Sequence, residues 1–192
     1  MTPAQLSIEA AGPERDTDLD QWFTEPKLAR MAVEWPRRWL DDSTEVRSIL
    51  EPSSGGGALL RPIQELFPWA TVFHYEIDPR WAAETGAACE DYRSVEHHHY
   101  HLGVMNPPYS GGMDSLFLEK ALVECDTVVA IIRTHALHGI DRYKRVWSRK
   151  RLRRIAFLID RPSFGGGTAR HEFCVVMFGG EEIPEGIEWW YA

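Results

Sequence analysis

The chain of 192 residues carries a formal net charge of −8 at pH 7, with 44% hydrophobic and 26% charged residues. This composition is typical of one globular domain with a substantial core, and it excludes a disordered chain. The negative charge excludes nucleic-acid binding by the whole surface, so any such contact needs a local basic patch.

The first 20 residues are predicted to form a flexible N-terminal arm, because Gly12-Pro13 and scattered acidic residues favour no packed element. The arm lacks the apolar core of a signal peptide, and no apolar run approaches the roughly 20 residues of a membrane helix. Three widely spaced cysteines, Cys89, Cys125 and Cys174, fit a reducing cytosol and neither a disulfide framework nor a zinc site. We therefore expect residues 21–192 to form a single cytoplasmic domain without membrane contact.

A helix is predicted to begin at Phe23-Thr24-Glu25-Pro26. Thr24 is a favourable N-cap residue, and Pro26 falls in the first turn, where a missing N–H costs nothing. Apolar residues then recur at helical spacing as far as Trp35, so the segment is expected to be an amphipathic helix.

A glycine-rich turn follows the predicted buried strand Val46–Leu50. The turn, Glu51-Pro52-Ser53-Ser54-Gly55-Gly56-Gly57, leads into the apolar Ala58-Leu59-Leu60. Strand, glycine turn and helix in this order are typical of a nucleotide-type binding site, because glycines let the backbone approach a ligand closely. The turn lacks the lysine of a phosphate-binding loop and Glu51 would repel phosphates, so we expect a ligand that carries positive charge.

A second strand, Val72–Tyr75, ends at Glu76 and Ile77. Glu76 lies 21 residues after Gly55, near the offset at which an acid binds ribose hydroxyls. A helix is predicted over Arg80–Ala88. The segment Cys89-Glu90-Asp91-Tyr92 is expected to end a short third strand, where Asp91 can accept a hydrogen bond from an adenine amino group.

Four histidines, His97, His98, His99 and His101, precede the next strand. Consecutive residues of an extended chain point to alternate sides, so three adjacent histidines do not converge on one ion. No cysteine or aspartate lies at ligand spacing. We expect a polar loop here and no metal site.

The tetrapeptide Asn106-Pro107-Pro108-Tyr109 follows the apolar run Leu102–Met105. The prolines end the strand, and Pro107 favours an extended Asn106 whose amide is held out at the strand end. Carbonyl acceptors without competing N–H groups then lie beside the flat face of Tyr109. This arrangement suits a planar –NH2 substrate. Taken by itself, the tetrapeptide is explained equally well as a turn that ends a strand and has no function.

The C-terminal half is predicted to contain a helix over Asp114–Glu124, with Leu116, Phe117, Ala121 and Leu122 inward, and a strand over Thr127–Ile132 that is buried on both faces. Alternating strands and helices up to this point predict a parallel α/β sheet. Ile155–Ile159 and Glu172–Phe178 have only loop between them and predict an antiparallel hairpin. We expect an α/β fold with a mostly parallel seven-stranded sheet, a C-terminal antiparallel hairpin and helices on both faces.

The stretch from Arg142 to Arg154 is strongly basic, with the aromatic residues Tyr143 and Trp147 interleaved. A solvated helix face is the usual explanation for such a run, but clustering in an acidic protein indicates a phosphate-contacting surface. The residues predicted to contact nucleic acid are Arg142, Lys144, Arg145, Arg149, Lys150 and Arg151, and the run continues to Arg153 and Arg154.

Over about residues 22–178 these motifs resemble the S-adenosylmethionine-dependent N6-adenine DNA methyltransferases, in the motif order of the gamma group. Phe23-Thr24-Glu25-Pro26 is similar to the entry that closes over the methionine part of the cofactor, and the turn from Glu51 to Gly57 is similar to the cofactor loop. Glu76 resembles the ribose acid and Asp91-Tyr92 the adenine contact. Asn106-Pro107-Pro108-Tyr109 matches the catalytic motif in full.

The resemblance implies a Rossmann-like class I methyltransferase fold, one catalytic domain over residues 21–192 and S-adenosylmethionine as cofactor. The side-chain oxygen of Asn106 and the carbonyl of Pro107 would accept the two N–H bonds of an adenine amino group and aim its lone pair at the sulfonium methyl. Tyr109 and Phe164 would sandwich a base extruded from its stack. The implied cofactor-binding residues are Phe23, Thr24, Glu51, Pro52, Ser53, Gly55, Glu76, Ile77, Asp91, Tyr92 and Asn106.

Several alternatives stay open at this point. Gamma-type enzymes usually carry a separate target-recognition domain, for which we expect no room here, so the basic stretch would be a minimal substitute or a specificity partner would be needed. The same tetrapeptide serves enzymes that methylate amino groups in RNA or glutamine amides in proteins. The protein-glutamine alternative predicts an N-terminal helical substrate domain. A catalytically silent subunit that binds cofactor or DNA is disfavoured by the intact Asn106, Tyr109 and Glu76. The oligomeric state is left open.

Overall fold

The computed structural model describes residues 23–40, 46–148, 152–160, 162 and 171–191. In these residues eight strands form one sheet: β1 (Ser48–Glu51), β2 (Thr71–Glu76), β3 (Ala88–Cys89), β4 (Tyr100–Met105), β5 (Cys125–Arg133), β6 (Leu152–Leu158), β7 (Phe173–Phe178) and β8 (Gly186–Trp190). Their order in the sheet is β3-β2-β1-β4-β5-β7-β6-β8. All neighbouring pairs are parallel except those that β7 makes with β5 and β6.

Helices cover both faces of this sheet. They are α1 (Pro26–Glu34), α2 (Leu60–Leu66), α3 (Pro79–Thr85), α4 (Met113–Glu124) and α5 (Ile140–Arg142), the last continued by a π-helical turn over Tyr143–Trp147. Along β5, Val129 and Ile131 pack into the core that contains α1 and α2 residues. Val128 and Ala130 pack into the opposite core, which contains α4 residues. The prediction of a strand buried on both faces is therefore confirmed.

The predicted α/β architecture with its antiparallel hairpin is confirmed, but the predicted count of seven strands is wrong. The eighth strand, β8, pairs in parallel with β6 at the edge of the sheet. The usual pattern of buried apolar and exposed polar side chains is reversed in β8, because Ile187 and Trp189 are exposed while Glu188 points inward. The carboxylate of Glu188 accepts hydrogen bonds from the indoles of Trp35 and Trp190, each at 3.0 Å, and from Arg154 at 2.8 Å. Burial raises the pKa of Glu188, and these three donors outweigh burial and hold that pKa below its usual value.

Two further predictions need correction. Helix α1 begins at Pro26, but its N-cap residue is Glu25 and no side chain caps it, so Thr24 is not the N-cap. In α4, Phe117, Ala121 and Leu122 are buried as predicted, whereas Leu116 lies outward and is 37% exposed. The faint third strand is confirmed as β3, and the predicted arm of residues 1–20 lies outside the described residues.

The topology brings the strand ends together at one edge of the sheet. Because β2, β1, β4 and β5 are parallel neighbours, the residues at or directly after their carboxyl ends, Glu76, Glu51, Asn106 and Arg133, lie at the same edge. The strand order reverses between β1 and β4, which is where open α/β sheets form their ligand crevice. In the described part of the chain, no helix is long and apolar enough to cross a bilayer.

Candidate active site

A cavity of about 290 Å³ opens at this edge, beside the point where the strand order reverses. All the predicted cofactor contacts except Thr24 and Glu51 line it, together with Pro107 and Pro108. Thr24 and Glu51 line a small adjoining recess of about 20 Å³, which shares Phe23 with the cavity. The structure thus brings the predicted cofactor residues and the first part of the predicted catalytic motif to one place.

The glycine turn is fixed by Glu76. One oxygen of its buried carboxylate accepts the backbone N–H of Gly55 at 2.7 Å, and the other accepts that of Asp78 at 2.9 Å. Gly55 has φ of 48°, a left-handed conformation that favours glycine. The ring of Phe23 lies against the turn and packs edge-on against Trp81, with 5.0 Å between ring centroids. The turn and the residue before α1 therefore form adjoining walls of the cavity.

Glu51 is a buried carboxyl group at the end of β1, only 1% exposed. Its Oε2 atom has no hydrogen-bond partner among the described residues. Burial, with the nearby Glu76 as a second cause, raises the pKa of Glu51 to about 8. A carboxyl group in this state favours a cationic ligand group beside it, because the cation would restore the ionised form.

The amide of Asn106 is held between two hydroxyl groups. Its Nδ2 donates to Oγ1 of Thr24 at 2.8 Å, and its Oδ1 accepts from the hydroxyl of Tyr109. The hydroxyl of Ser53 in the glycine turn donates to the backbone carbonyl of Asn106 at 3.2 Å. The end of β4, the entry to α1 and the glycine turn are therefore linked through one residue.

Tyr109 lies in the core in this structure and is 2% exposed. Its ring packs edge-on against Phe173, with centroids 5.4 Å apart, and the guanidinium of Arg133 lies 5.0 Å from its centroid. Arg133 also donates to the carbonyl of Tyr109. The face predicted to stack on a target base is thus covered, and the hydroxyl occupies the Asn106 oxygen. Phe164, the second predicted stacking residue, lies outside the described residues.

The third strand leads to a wall of the cavity formed by Glu90, Asp91, Tyr92 and Arg93. Asp91 forms an ion pair with Arg93 and accepts its backbone N–H at 3.0 Å; the hydrogen bond from the guanidinium lowers the pKa of Asp91. The hydroxyl of Tyr92 donates to the buried Glu124 at 2.5 Å, and Glu124 does not line the cavity. Tyr92 therefore contributes its ring, which lies 5.4 Å from that of Phe117.

The predicted nucleic-acid contacts lie in different environments. Arg142 donates from Nε to the hydroxyl of Ser115 at 3.3 Å, Arg145 forms an ion pair with Glu119 at 2.9 Å, and Lys144 is exposed. Arg149, Lys150 and Arg151 lie outside the described residues.

The last two arginines of the basic run lie on β6 and bind internal partners. Arg153 is buried and donates to the carbonyl of Gly180 at 2.5 Å. Arg154 binds Glu188 at 2.8 Å and lies over the ring of Trp39, 4.3 Å from its centroid. Both arginines stabilise the edge of the sheet, so they are not part of the predicted phosphate-contacting surface.

Three histidines, two before β4 and one within it, have separate partners. His97 contacts Glu124 at 2.8 Å, His99 contacts Asp126 at 3.0 Å, and His101 contacts Ser48 at 2.8 Å. Across the described ranges, no three potential metal ligands come together.

Four residues of this region are among those that sequence reasoning missed. Met113 and Phe117 line the cavity from α4, and Arg93 lines it from the turn after β3. Arg133 contacts Tyr109 from the end of β5. Its position at the carboxyl end of a parallel strand was a usable indication, because such ends line the ligand crevice. The other three are brought in by tertiary packing.

No protein-family model matches the chain, and no curated protein sequence matches it. Solved structures do match. One, described as a putative RNA methyltransferase, PH1948 from Pyrococcus horikoshii, has a TM-score of 0.69 at 17% identity and covers 90% of this chain and 94% of that chain.

The type IIG restriction endonuclease BpuSI has a TM-score of 0.68 at 16% identity; the match covers 88% of this chain and 27% of that chain. The plantazolicin methyltransferase BpumL in complex with SAH has a TM-score of 0.53 at 10% identity, covering 81% of this chain and 85% of that chain. The chain therefore has the methyltransferase-like α/β fold.

Proposed function

We propose that the protein transfers a methyl group from S-adenosylmethionine to the exocyclic N6 amino group of adenine in DNA. The observation that carries this proposal is the position of Asn106, Pro107 and Pro108 on the wall of the cavity that Glu76 and the glycine turn enclose. A clamp for a planar amino group and a pocket for an adenosine-like ligand thus share one space.

The residues of the cavity fit the cofactor in three parts. The buried carboxyl of Glu51, with its unpartnered oxygen, suits the cofactor's ammonium group. Glu76 lies at the strand tip that suits ribose hydroxyls. The apolar wall of Met113 and Phe117 suits an adenine ring. When bound, the cofactor supplies an electrophilic methyl group on a sulfonium.

The chain's own contribution to the chemistry is positioning. The target amino group donates one N–H to Oδ1 of Asn106 and the other to the carbonyl of Pro107, which draws its nitrogen towards tetrahedral geometry. Thr24 keeps Nδ2 of Asn106 engaged, so Oδ1 faces the substrate. The hydroxyl of Tyr109, which donates to Oδ1 in this structure, gives way to the incoming amine. The nitrogen is cationic once it carries the methyl group and then loses one proton to solvent water, so no strong base is needed first.

The choice of DNA follows from the combination of Glu-Pro-Ser…Gly with the preceding Thr-Glu-Pro entry, and it is consistent with the likeness to a restriction endonuclease. RNA is the second candidate. It is favoured by the likeness to PH1948, which extends over 94% of that chain. In both cases Arg142 and Lys144 are proposed to contact phosphates.

The test offers S-adenosylmethionine with a labelled methyl group to duplex DNA, single-stranded DNA, total RNA and a protein extract in separate reactions. Each product is then digested, and the methylated residue is identified by mass spectrometry. N6-methyladenine from DNA supports the proposal. Label in RNA supports the second candidate, label in glutamine contradicts both, and label in no fraction supports a silent subunit. An Asn106→Ala preparation controls for contaminating methyltransferases.

A further inference from the structure

A second cavity, a groove of about 510 Å³, adjoins the 290 Å³ cavity of the candidate active site, which is called the catalytic cavity below. A single turn over Ser110–Gly112 separates the two. Ser110 and Met113 face the catalytic cavity, whereas Gly111 and Gly112 line the groove. Both glycines have left-handed φ, 58° and 78°, and an added Cβ at either would meet nothing within 4 Å. The turn is therefore shaped by its backbone, and the two cavities lie on either side of it.

One wall of the groove combines cations with an exposed apolar side chain. Arg142 and Arg145 lie on this wall, which is formed by residues 138–142 and 145, and Asp141 is an acid on the same wall. Ile140 lines the same wall and is 64% exposed. Tyr143 lies outside the lining of the groove, three residues later on the same helical face, and is 57% exposed. Exposed apolar groups beside arginines are typical of surfaces that hold unpaired bases, because the bases stack while the phosphates pair with cations.

The guanidinium groups of Arg142, which lines the groove, and of Arg133 both lie near His135. Arg142 is held in place by its bond to Ser115. Burial is the main cause that lowers the pKa of the His135 imidazole. The nearby guanidinium groups of Arg133 and Arg142 lower that pKa further. His171 lowers that pKa further, and Asp114 opposes them. Because Arg133 also binds the Tyr109 carbonyl, these guanidinium groups extend to the catalytic motif itself.

We propose that the groove binds the nucleotide next to the target base in a single strand of nucleic acid, with Arg142 on its phosphate and Ile140 and Tyr143 against its base. A duplex would offer only phosphates here, because its bases hide their faces in the stack. This inference rests on the proposed function and adds a strand preference to it: the substrate is single-stranded at and beside the target adenine.

The test measures binding of a fluorescently labelled short single strand of mixed sequence, and of a hairpin duplex of the same composition, by fluorescence anisotropy. Tyr143→Ala removes the stacking ring without changing charge. Tyr191→Ala is its matched control, because Tyr191 is a 65% exposed tyrosine after β8. Arg142→Gln is paired with Arg61→Gln, an exposed arginine on α2. Thermal unfolding and S-adenosylmethionine affinity check that each variant is folded.

We expect the wild type to bind the single strand more tightly than the hairpin. Tyr143→Ala should weaken single-strand binding by about 5- to 150-fold, the range for loss of one stacked base. Arg142→Gln should lower the slope of log Kd against log salt by about 0.7, as for one lost phosphate contact. Both control variants should bind like the wild type.

Equal binding by Tyr143→Ala and Tyr191→Ala would overturn the groove assignment, and so would tighter binding of the hairpin by the wild type. These outcomes are separate from failure of the proposed function. A wild type that methylates DNA while Tyr143→Ala binds normally refutes the groove alone. Absence of methyl transfer to every substrate refutes the function, and the anisotropy result still decides the groove.

Discussion

Cofactor binding is predicted to release a proton from Glu51. The carboxyl group is fully buried at the end of β1, one of its oxygens has no partner among the described residues, and its pKa is raised to about 8. In the ligand-free protein near neutral pH it is therefore mostly protonated. An ammonium group in the adjoining recess favours the ionised carboxylate, so the proton leaves as the cofactor binds.

The size of the effect follows from the position of this pKa. With a pKa of about 8, roughly 90% of Glu51 is protonated at pH 7, so each bound cofactor should release about 0.9 proton. If only the ionised form binds, the apparent Kd should rise about ninefold from pH 7 to pH 6. α-Amino groups titrate near pH 7.7–8.0, so in this interval the cofactor's amine stays charged.

Isothermal titration calorimetry with S-adenosylmethionine measures both quantities. Titrations in two buffers of different ionisation enthalpy give the number of protons released, and a series from pH 6 to pH 7 gives the dependence of Kd. The control is Glu51→Gln, which should bind more weakly with no proton release and a flat pH dependence. A wild type that releases no proton at pH 7 and shows a constant Kd would refute the reasoning.

Three further predictions concern stability and the amide clamp. The pKa of Glu51 is raised in the folded protein, so its stabilising contribution is present below about pH 4.5 and is lost as pH rises towards about 8. The Tm of Glu51→Gln relative to the wild type should therefore increase by several degrees from pH 5 to pH 8, as measured in calorimetric scans. Tyr109→Phe should keep the methyl-transfer rate within about tenfold of the wild type, because the ring stays packed and only the hydrogen bond from the Tyr109 hydroxyl to Asn106 is lost. Tyr109→Ala should lower the free energy of unfolding by about 3–5 kcal/mol, as measured by urea denaturation. Thr24→Val should lower kcat about tenfold with little change in cofactor Kd, and Thr24→Ser should restore it; an equal loss in both variants would contradict the positioning role.

Much of the fold was predictable because its elements follow local rules. The strand that ends at Asn106 precedes two prolines, and the strand before Glu51 precedes a run of glycines, so both ends are visible in the sequence. Strand β8 was not predicted, since its inward residue Glu188 is satisfied by its neighbour Trp190 and by three residues distant in the chain, Trp35, Arg38 and Arg154. The alternation of side chains along β8 therefore places an acidic residue inward and apolar residues outward, the reverse of the pattern that predicts a half-buried strand.

The candidate site shows the same division. The identity of Asn106 and Glu76 as site residues followed from their spacing after strands, and both line the cavity. The hydrogen-bond and packing partners of each side chain were harder to predict from the sequence. Thr24 was predicted as an N-cap residue and proved to accept from Asn106, 82 residues away. Tyr109 was expected to offer an open face and is packed against Phe173 from β7. Partners of this kind depend on which strands become neighbours, and local patterns do not encode that.

The central claim is that Asn106 clamps the amino group that is methylated. The most direct measurement is the single-turnover rate of methyl transfer by Asn106→Ala at saturating cofactor, alongside its cofactor Kd and its thermal unfolding. We predict a rate at least about 100-fold below that of the wild type, with a Kd within about threefold and a folded protein. An Asn106→Ala protein that transfers methyl groups at the wild-type rate would rule out this role of Asn106.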